Sequence, residues 1–169
     1  MSLAFFNTLF PDTGSGRDQG YVVLAMFPEG QITPGSGPTD LHWFAWPSQK
    51  ETIAAFCLAN HESDIYTSAA LYKTKGDRKA DKIAHQWAAY ADTDNLDLSK
   101  LKAEPTMVVQ TRPGRHHAYW VTEADDALRL TELSRTIAHT HAADGCDKGG
   151  WDAGQLLRVP GTTNNKIRL

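Results

Sequence analysis

The apolar residues of this chain fall into short runs, several of which end at proline or aspartate, and no other feature limits the fold as strongly. Short apolar runs bounded by such turn-forming residues are typical of β-strands. We predict strands at residues 21–27, 41–46, 65–72, 83–91, 107–111, 117–121 and 156–159. The composition of residues 83–91 also suits a helix. That run is short, however, and ends in the turn-forming cluster Asp92-Thr93-Asp94-Asn95, which favours a strand.

The segment that ends near Asn60 has the sequence features of a helix. Ser48 is a predicted N-cap, and Glu51 stands three residues later as its capping-box partner. Further along the chain, the tripeptide Arg112-Pro113-Gly114 separates two predicted strands and carries turn chemistry. We therefore predict a β-hairpin in the middle of the sequence.

A second helix is predicted between the hairpin and the last strand. It begins after a cap at Thr122 or Asp125 and ends near His141. Its apolar stripe is formed by Leu128, Leu130, Leu133 and Ile137. The order of strands and helices, with a hairpin between them, predicts an α+β fold in which helices pack on an antiparallel or mixed sheet.

Size and charge place further limits on the molecule. The 169 residues suit one domain, and no apolar run approaches the roughly 20 residues that span a bilayer. Two cysteines without metal-type spacing, Cys57 and Cys146, favour a reduced, cytoplasmic compartment. The net charge of −3 argues weakly against a protein that only coats nucleic acid. One segment is basic, and it is either a solvated loop or a phosphate contact: Lys73, Lys75, Arg78, Lys79 and Lys82.

A pair of carboxylates is the sharpest chemical feature of the sequence. Asp92 and Asp94 follow the apolar run, and alternate side chains of an extended chain point to the same face. Two adjacent buried carboxylates repel each other unless something neutralises them. Mg²⁺ and Mn²⁺ are hard, oxygen-seeking ions that suit this arrangement. An Asp-x-Asp sequence alone is more often a turn or a cap, but its position at the tip of an apolar strand favours a metal site.

Other polar residues recur near the predicted turns. His116 and His117 follow the hairpin turn, and alternation sends one to each face of the strand without indicating which one faces the acids. Arg115 precedes them and makes a cationic cluster suited to a triphosphate. Further candidates stand near the end of the chain, where a third carboxylate and phosphate-binding cations are possible: Asp147, Asp152, Arg158 and Lys166.

In this order, three segments resemble the motifs of the archaeo-eukaryotic primase superfamily, above all the primase-polymerase domains of phages, plasmids and integrated elements. The first is an apolar strand that ends in acid-x-acid, at residues 90–94. The second is a turn and strand with a histidine before aromatic residues, at residues 113–120. The third combines Trp151-Asp152 with an Arg-x-Pro-Gly-Thr-x-Asn-x-Lys-like stretch at residues 158–166. One departure is that Arg115 stands where the family usually has serine, two residues before the histidine.

The resemblance implies an RRM-like sheet beside a smaller N-terminal α/β unit, and nucleotidyl transfer with two divalent metal ions, Mg²⁺ or Mn²⁺. It implies metal ligands at Asp92, Asp94 and Asp152, with Asp147 as the second choice for the third acid. His117, with His116 as the alternative, is implied to contact the phosphate of the incoming nucleotide. Supporting charge is implied at Arg115, Arg158 and Lys166.

The implied substrates are nucleoside triphosphates, a primer and a single-stranded DNA template. We expect residues 1–169 to be one catalytic domain, the N-terminal part of a longer replication protein with a fused or separate helicase and no membrane partner. Two rival interpretations stand beside this one. They are a nucleic-acid-binding initiator module without activity, and a metal-dependent phosphohydrolase or nuclease that uses the same acids.

Overall fold

The computed structural model describes residues 2–27 and 40–165. The helices are α1 (Ser2–Leu9), α2 (Lys50–Ala59) and α3 (Ala127–Thr140). The strands are β1 (Gly20–Phe27), β2 (Asp40–Trp46), β3 (Asp64–Thr67), β4 (Leu71–Tyr72), β5 (Ile83–His85), β6 (Ala88–Asp92), β7 (Met107–Arg112), β8 (Arg115–Val121) and β9 (Leu157–Arg158). They form one larger and one smaller antiparallel sheet, so the predicted α+β fold is confirmed.

Strand β1 is the centre of the larger sheet. One edge of β1 pairs along its length with β2, from Gly20 opposite Trp46 to Met26 opposite Asp40. The other edge pairs with β3 towards the end of β1 and with β4 near its start, so β3 and β4 lie end to end. Strand β9 continues the sheet beyond β3, and β5 continues it beyond β4.

Two predicted strands are divided in the structure. The run 65–72 is interrupted at residues 68–70, between β3 and β4. The run 83–91 is divided between the two sheets, because β5 pairs with β4 whereas β6 pairs with β8. The backbone N–H of Gln86 donates to the carboxylate of Asp125 (2.9 Å) at the point where the chain leaves one sheet for the other.

The smaller sheet has the strand order β6-β8-β7 and contains the predicted hairpin. Gly114 has a φ of +76° in the turn, a backbone conformation that side chains other than glycine rarely adopt. In the pairing of β6 with β8, Tyr90 lies opposite Tyr119 and Asp92 lies opposite His117. This register brings the end of the acidic strand beside the start of the histidine strand.

The two faces of the smaller sheet pack on different parts of the molecule. Tyr90 and Tyr119 belong to the main core, where the ring of Tyr119 makes an edge contact with Phe5 of α1 at 5.7 Å between centroids. Ala91 points to the opposite face and packs in a second cluster with Ala138 of α3. Because side chains alternate along a strand, Asp92 lies on the same face as Tyr90.

The predicted helix caps were wrong. Helix α2 follows Gln49, while both the backbone N–H and the hydroxyl of Ser48 donate to the carboxylate of Asp18 (2.9 Å each). Asp126 caps α3 by accepting the backbone N–H of Arg129 (3.0 Å), one residue beyond the predicted position.

The predicted apolar stripe of α3 was also partly wrong. Leu128 is 78% exposed and Leu133 is 40% exposed, whereas Leu130, Ser134 and Ala138 form the buried face. Burial of the Ser134 hydroxyl is tolerated because it accepts the N–H of Tyr90 (2.9 Å) and donates to the carbonyl of Leu130 (3.0 Å). Among the described residues, no helix has the length and apolar character needed to cross a membrane.

Candidate active site

A cleft of about 300 Å³ opens where β6 ends and β8 begins. Its walls come from both sheets and from the loops beside them, and most of its lining side chains are polar or charged. The lining residues are Tyr66, Asp92, Asp94, Thr111, Arg112, Arg115, His117, Asp147, Gln155, Leu156, Arg158 and Asn164.

Strand register places Asp92 and His117 side by side in this cleft. They are opposite each other in the β6–β8 pairing, and the Nε2 of His117 lies 3.8 Å from a carboxylate oxygen of Asp92. Both the N–H and the hydroxyl of Thr93 donate to the carbonyl of His116 (2.8 and 2.9 Å), which holds the two strand ends together. Of the two neighbouring histidines, the cleft is lined by His117, whereas His116 is absent from its walls.

Asp94 reaches the same cleft from the turn that directly follows β6, which the N–H of Leu96 closes by donating to the carbonyl of Thr93 (2.9 Å). One of its carboxylate oxygens accepts a hydrogen bond from the guanidinium of Arg115 (2.7 Å). Both side chains remain about one-third exposed, at 31% for Arg115 and 37% for Asp94. An internal cation therefore already neutralises part of the charge of this acid.

The third acid of the cleft is Asp147. Its backbone N–H donates to the carbonyl of Asp92 (2.8 Å), and the thiol of Cys146 contacts the same carbonyl at 3.2 Å. The N–H of Gly149 donates to the Asp147 carboxylate (2.9 Å). A Cβ at Gly150 would lie 3.3 Å from Asp147 and 3.4 Å from the Cβ of Asp92, so the loop approaches the acids closely.

Asp152, the first choice from sequence, does not line this cleft. Its carboxylate accepts the backbone N–H of Gly154 (2.9 Å) and lines a different cavity together with Arg78 and Lys79. Its backbone carbonyl accepts the hydroxyl of Tyr90. The chain turns at residues 147–150. Asp147, at the start of this turn, therefore lies near Asp92, whereas Asp152, beyond the turn, does not line the cleft.

The carboxyl of Asp92 has an unusual electrostatic environment. Burial, followed by repulsion from Asp94 and Asp147, raises its pKa from 3.8 to about 6. This cluster of oxygens suits a hard divalent cation, which would neutralise charge that the protein leaves uncompensated. Within residues 2–27 and 40–165, however, no three histidine, cysteine or acidic side chains are arranged to hold a metal ion as they stand. The chemistry of the donor set fits such an ion, and the acids would have to converge on it.

Arg158 lines the cleft but is held by buried partners. Its guanidinium lies 2.5 Å from the fully buried carboxylate of Asp64 and 2.6 Å from the hydroxyl of Tyr66. A second amino group donates to the carbonyl of Thr163 (2.6 Å). The guanidinium also lies over the ring of Tyr66, at 4.7 Å from its centre. These contacts tie the last described segment to β3.

Several cleft residues were missed from sequence. Tyr66 stood within an apolar run that suggested only core packing, and burial raises the pKa of its hydroxyl to about 12. Arg112 was interpreted only as part of the predicted turn. Its closeness to Arg115 across that turn is the feature of the sequence that could have identified it as a cleft residue. Asn164 donates to the carbonyl of Thr111 (3.0 Å), a contact between distant segments that no local pattern indicates. Lys166 lies outside the described residues.

The chain is similar to known primases. A family model described as the RepB DNA-primase N-terminal domain matches residues 65–169. The structure resembles the crystal structure of primase RepB′, with a TM-score of 0.62 and 17% identity, over 100% of this chain and 53% of that chain. It also resembles the catalytic domain of primase RepB′ in complex with initiator DNA, with a TM-score of 0.59, 16% identity and coverage of 99% of this chain and 80% of that one.

A third similar structure is the archaeo-eukaryotic primase domain of the cyanophage S-2L primase-polymerase, with a TM-score of 0.59 and 16% identity. That match covers 97% of this chain and 83% of the other. At these identities the likeness shows a shared fold, the one that the sequence motifs implied. The chain spans about half the length of the RepB′ primase. No curated protein matches the chain at a significant level.

Proposed function

This chain belongs to the family of RepB DNA-primase N-terminal domains, within the archaeo-eukaryotic primase superfamily, and on that premise we propose that it joins nucleotides on a DNA template. The observation that carries the proposal is one cleft lined by Asp92, Asp94, Asp147 and His117. Phosphate binding alone gains nothing from three carboxylates, since they repel phosphate. Their presence therefore favours a metal-dependent enzyme over a module that only binds nucleic acid.

We assign metal binding to the three acids of the cleft. Asp92, Asp94 and Asp147 would hold two Mg²⁺ or Mn²⁺ ions, with phosphate oxygens of the nucleotide completing the ligand sets. When bound, such ions neutralise the triphosphate and lower the pKa of an attacking hydroxyl. The raised pKa of Asp92 supports this assignment, because the largely buried carboxyl lacks a full counter-charge. Asp152 is omitted, since it lines another cavity.

The basic residues of the cleft would bind the nucleotide. His117 is held beside Asp92 by strand pairing, which fixes its ring at the cleft wall where it can donate to a phosphate oxygen. Arg115 can contact the same triphosphate once it leaves Asp94, and Arg112 lines the cleft next to it. Guanidinium groups match the geometry of phosphate oxygens and remain charged at any physiological pH.

Arg158 has a different role in this proposal from the one predicted. Its two terminal amino groups are occupied by Asp64, Tyr66 and Thr163. It is therefore a positioning residue, which fixes the Tyr66 ring and the segment around Asn164 at the cleft wall. The proposed substrates are a nucleoside triphosphate, a primer and single-stranded template DNA, and the relative in complex with initiator DNA supports DNA as the partner.

A primer-extension assay tests the proposal. The protein is incubated with a single-stranded template, with and without primer, and with ribo- or deoxynucleotides in Mg²⁺ or Mn²⁺. We expect incorporation that the double variant Asp92→Asn, Asp94→Asn abolishes. Asp144→Asn is the control, because Asp144 pairs with Lys100 on the surface and lies outside the cleft. Full activity in the double variant would remove the assignment, and cleavage of DNA without added nucleotide would support a nuclease.

A further inference from the structure

A second cavity, of about 520 Å³, lies beside the acidic cleft. We call it the Trp151 groove. Its floor is apolar and includes Ile83, Ala127 and Ala153, which pack in a core cluster that also contains Tyr72. Trp151 and the exposed side chain of Leu128 form part of its wall. A groove of this kind offers a flat apolar ligand a place out of water.

The rim of the Trp151 groove is cationic. Arg78 is held there by a hydrogen bond from its guanidinium to the carbonyl of Gly154 (2.9 Å). Lys79 pairs with Asp77 at 3.3 Å, but its side chain is 77% exposed, and an exposed ion pair is weak enough for a phosphate to compete with it. One acid, Asp152, also lines the groove, and one of its oxygens is used by the N–H of Gly154.

The basic rim belongs to a longer positive segment. Between residues 73 and 82 the chain has five basic and two acidic side chains, although its net charge is −3. Lys75 lies over the ring of Tyr21 at 5.3 Å, which places a further cation on the same segment. In an acidic protein, a local concentration of positive charge next to an apolar groove complements a nucleic-acid strand, whose bases are flat and whose backbone is anionic.

The groove and the cleft share one piece of chain. Ala153 and Gly154 line the Trp151 groove, and the next two residues, Gln155 and Leu156, line the acidic cleft. The N–H of Gln155 donates to the carbonyl of Asp152 (2.8 Å), which keeps this connecting segment tightly turned. The cleft and the groove are therefore lined by consecutive residues of one short segment.

We propose that the Trp151 groove binds a nucleotide of the DNA template strand outside the catalytic cleft. The base lies against the apolar wall that includes Trp151, and the phosphate lies at the rim formed by Arg78 and Lys79. This inference rests on the proposed function, because the strand in the groove is the template of that reaction. The groove is then a surface for template binding, separate from the cleft, and its residues take no part in the chemical step.

Photo-crosslinking tests the position of the strand directly. Single-stranded oligonucleotides with one 5-iododeoxyuridine, moved stepwise along the sequence, are irradiated with the intact protein, and the linked tryptic peptide is identified by mass spectrometry. Fragmentation of the linked peptide 149–158 identifies the linked residue, and we expect one or two positions to link to Trp151 and not to Gln155 or Leu156, which line the cleft. Crosslinks at other residues, with none at Trp151, would overturn the proposal.

A charge reversal at the rim gives the quantitative test. The variants are Lys79→Glu alone and Lys79→Glu combined with Leu128→Ser, and both change only exposed side chains. Lys102→Glu is the control, because Lys102 is also exposed but lines neither the cleft nor the groove. By fluorescence anisotropy at low salt we expect Lys79→Glu to weaken binding of an 18-nucleotide strand about fivefold to tenfold. The slope of log affinity against log salt should fall by about 0.7 for each lost phosphate contact.

Incorporation measured on the same samples separates this proposal from the catalytic one. Weaker strand binding in Lys79→Glu with unchanged binding in Lys102→Glu supports the groove, whether or not nucleotides are incorporated. Equal strand binding in both variants overturns the groove, and active incorporation by the unchanged protein would then leave the catalytic assignment intact. If the parent protein incorporates no nucleotide but the crosslink at Trp151 is retained, the catalytic proposal is removed, and the groove remains a binding site for single-stranded DNA that is not a template.

Discussion

Arg115 and Asp94 form an ion pair of 2.7 Å in a cleft that Asp92 and Asp147 also line. The pair neutralises one acid, while the carboxyl of Asp92 keeps a raised pKa because it is buried and its neighbours repel it. A cation that binds the acids must compete with Arg115 for the carboxylate of Asp94. The arginine thus links metal binding to nucleotide binding, since a triphosphate offers its guanidinium another anionic partner.

Removal of this arginine should therefore have opposite effects on the two ligands. In Arg115→Ala we expect Mn²⁺ to bind about threefold to fivefold more tightly without nucleotide, because partly exposed ion pairs contribute up to roughly 1 kcal/mol. Nucleoside triphosphate should bind more weakly. Titration of Mn²⁺ followed by electron paramagnetic resonance measures the first effect, and calorimetry measures the second. Arg129→Ala, at an exposed position of α3, is the control. Unchanged or weaker Mn²⁺ binding in Arg115→Ala would contradict the competition.

The raised pKa of Asp92 predicts a pH dependence of stability. Its pKa is about 6 when folded and near 3.8 when unfolded, so between these values the folded state binds more protons. The free energy of unfolding should therefore fall as the pH rises from about 4 to about 6, and Asp92→Asn should lack this fall. Above pH 6, in chelator, the variant should be more stable by up to about 3 kcal/mol.

Urea unfolding at several pH values, with EDTA present, measures this difference. Asp144→Asn is the control, because hydrogen bonding and charge attraction from Lys100 lower the pKa of Asp144, the direction opposite to that of Asp92. An equal decline with pH in the parent protein and in Asp92→Asn would show that Asp92 is not responsible. Added Mg²⁺ should stabilise the parent protein above pH 6 more than the variant.

The position of the third acid predicts unequal losses of activity. Asp147→Asn should lower nucleotide incorporation by about a hundredfold or more, as expected when a charged group acts on the transition state. The loss in Asp152→Asn should be at least about tenfold smaller, because that carboxylate lines the Trp151 groove. Single-turnover extension of a short primed template compares the two. A larger loss in Asp152→Asn would restore the assignment made from sequence.

The buried pair of Arg158 and Asp64 predicts a stability effect apart from chemistry. Arg158→Met leaves a fully buried carboxylate without its cation, which should cost about 3–5 kcal/mol of the free energy of unfolding. The double variant Asp64→Leu, Arg158→Met removes both charges and should recover part of that loss. Thermal and urea unfolding of both variants check this. A double variant less stable than Arg158→Met would show that Asp64 contributes through other contacts, such as the N–H of Asn165 (3.1 Å).

Local patterns in the sequence were sufficient for much of the fold. The hairpin around Gly114 and strands β1 and β2 were predicted within a few residues, because apolar runs and turn residues act over short distances. The predicted cap of α2 was wrong because Asp18, thirty residues away, takes the hydrogen bonds of Ser48. The stripe of α3 was partly wrong because Ser134 is buried through a bond to Tyr90 of another element.

For the candidate site, too, some residues were predictable from local sequence and others depended on contacts between distant segments. From the sequence alone we predicted that Asp92 and Asp94 lie together at the end of a strand, and both line the cleft, although Asp94 stands in the turn after β6 and not in the strand itself. Tertiary contacts are needed to tell which member of each pair lines the cleft, His117 rather than His116 and Asp147 rather than Asp152. His117 is brought there by the register of β6 with β8, and Asp147 is held there by a hydrogen bond from its backbone N–H to the carbonyl of Asp92. Both contacts join residues that are distant in sequence, so no local spacing encodes them.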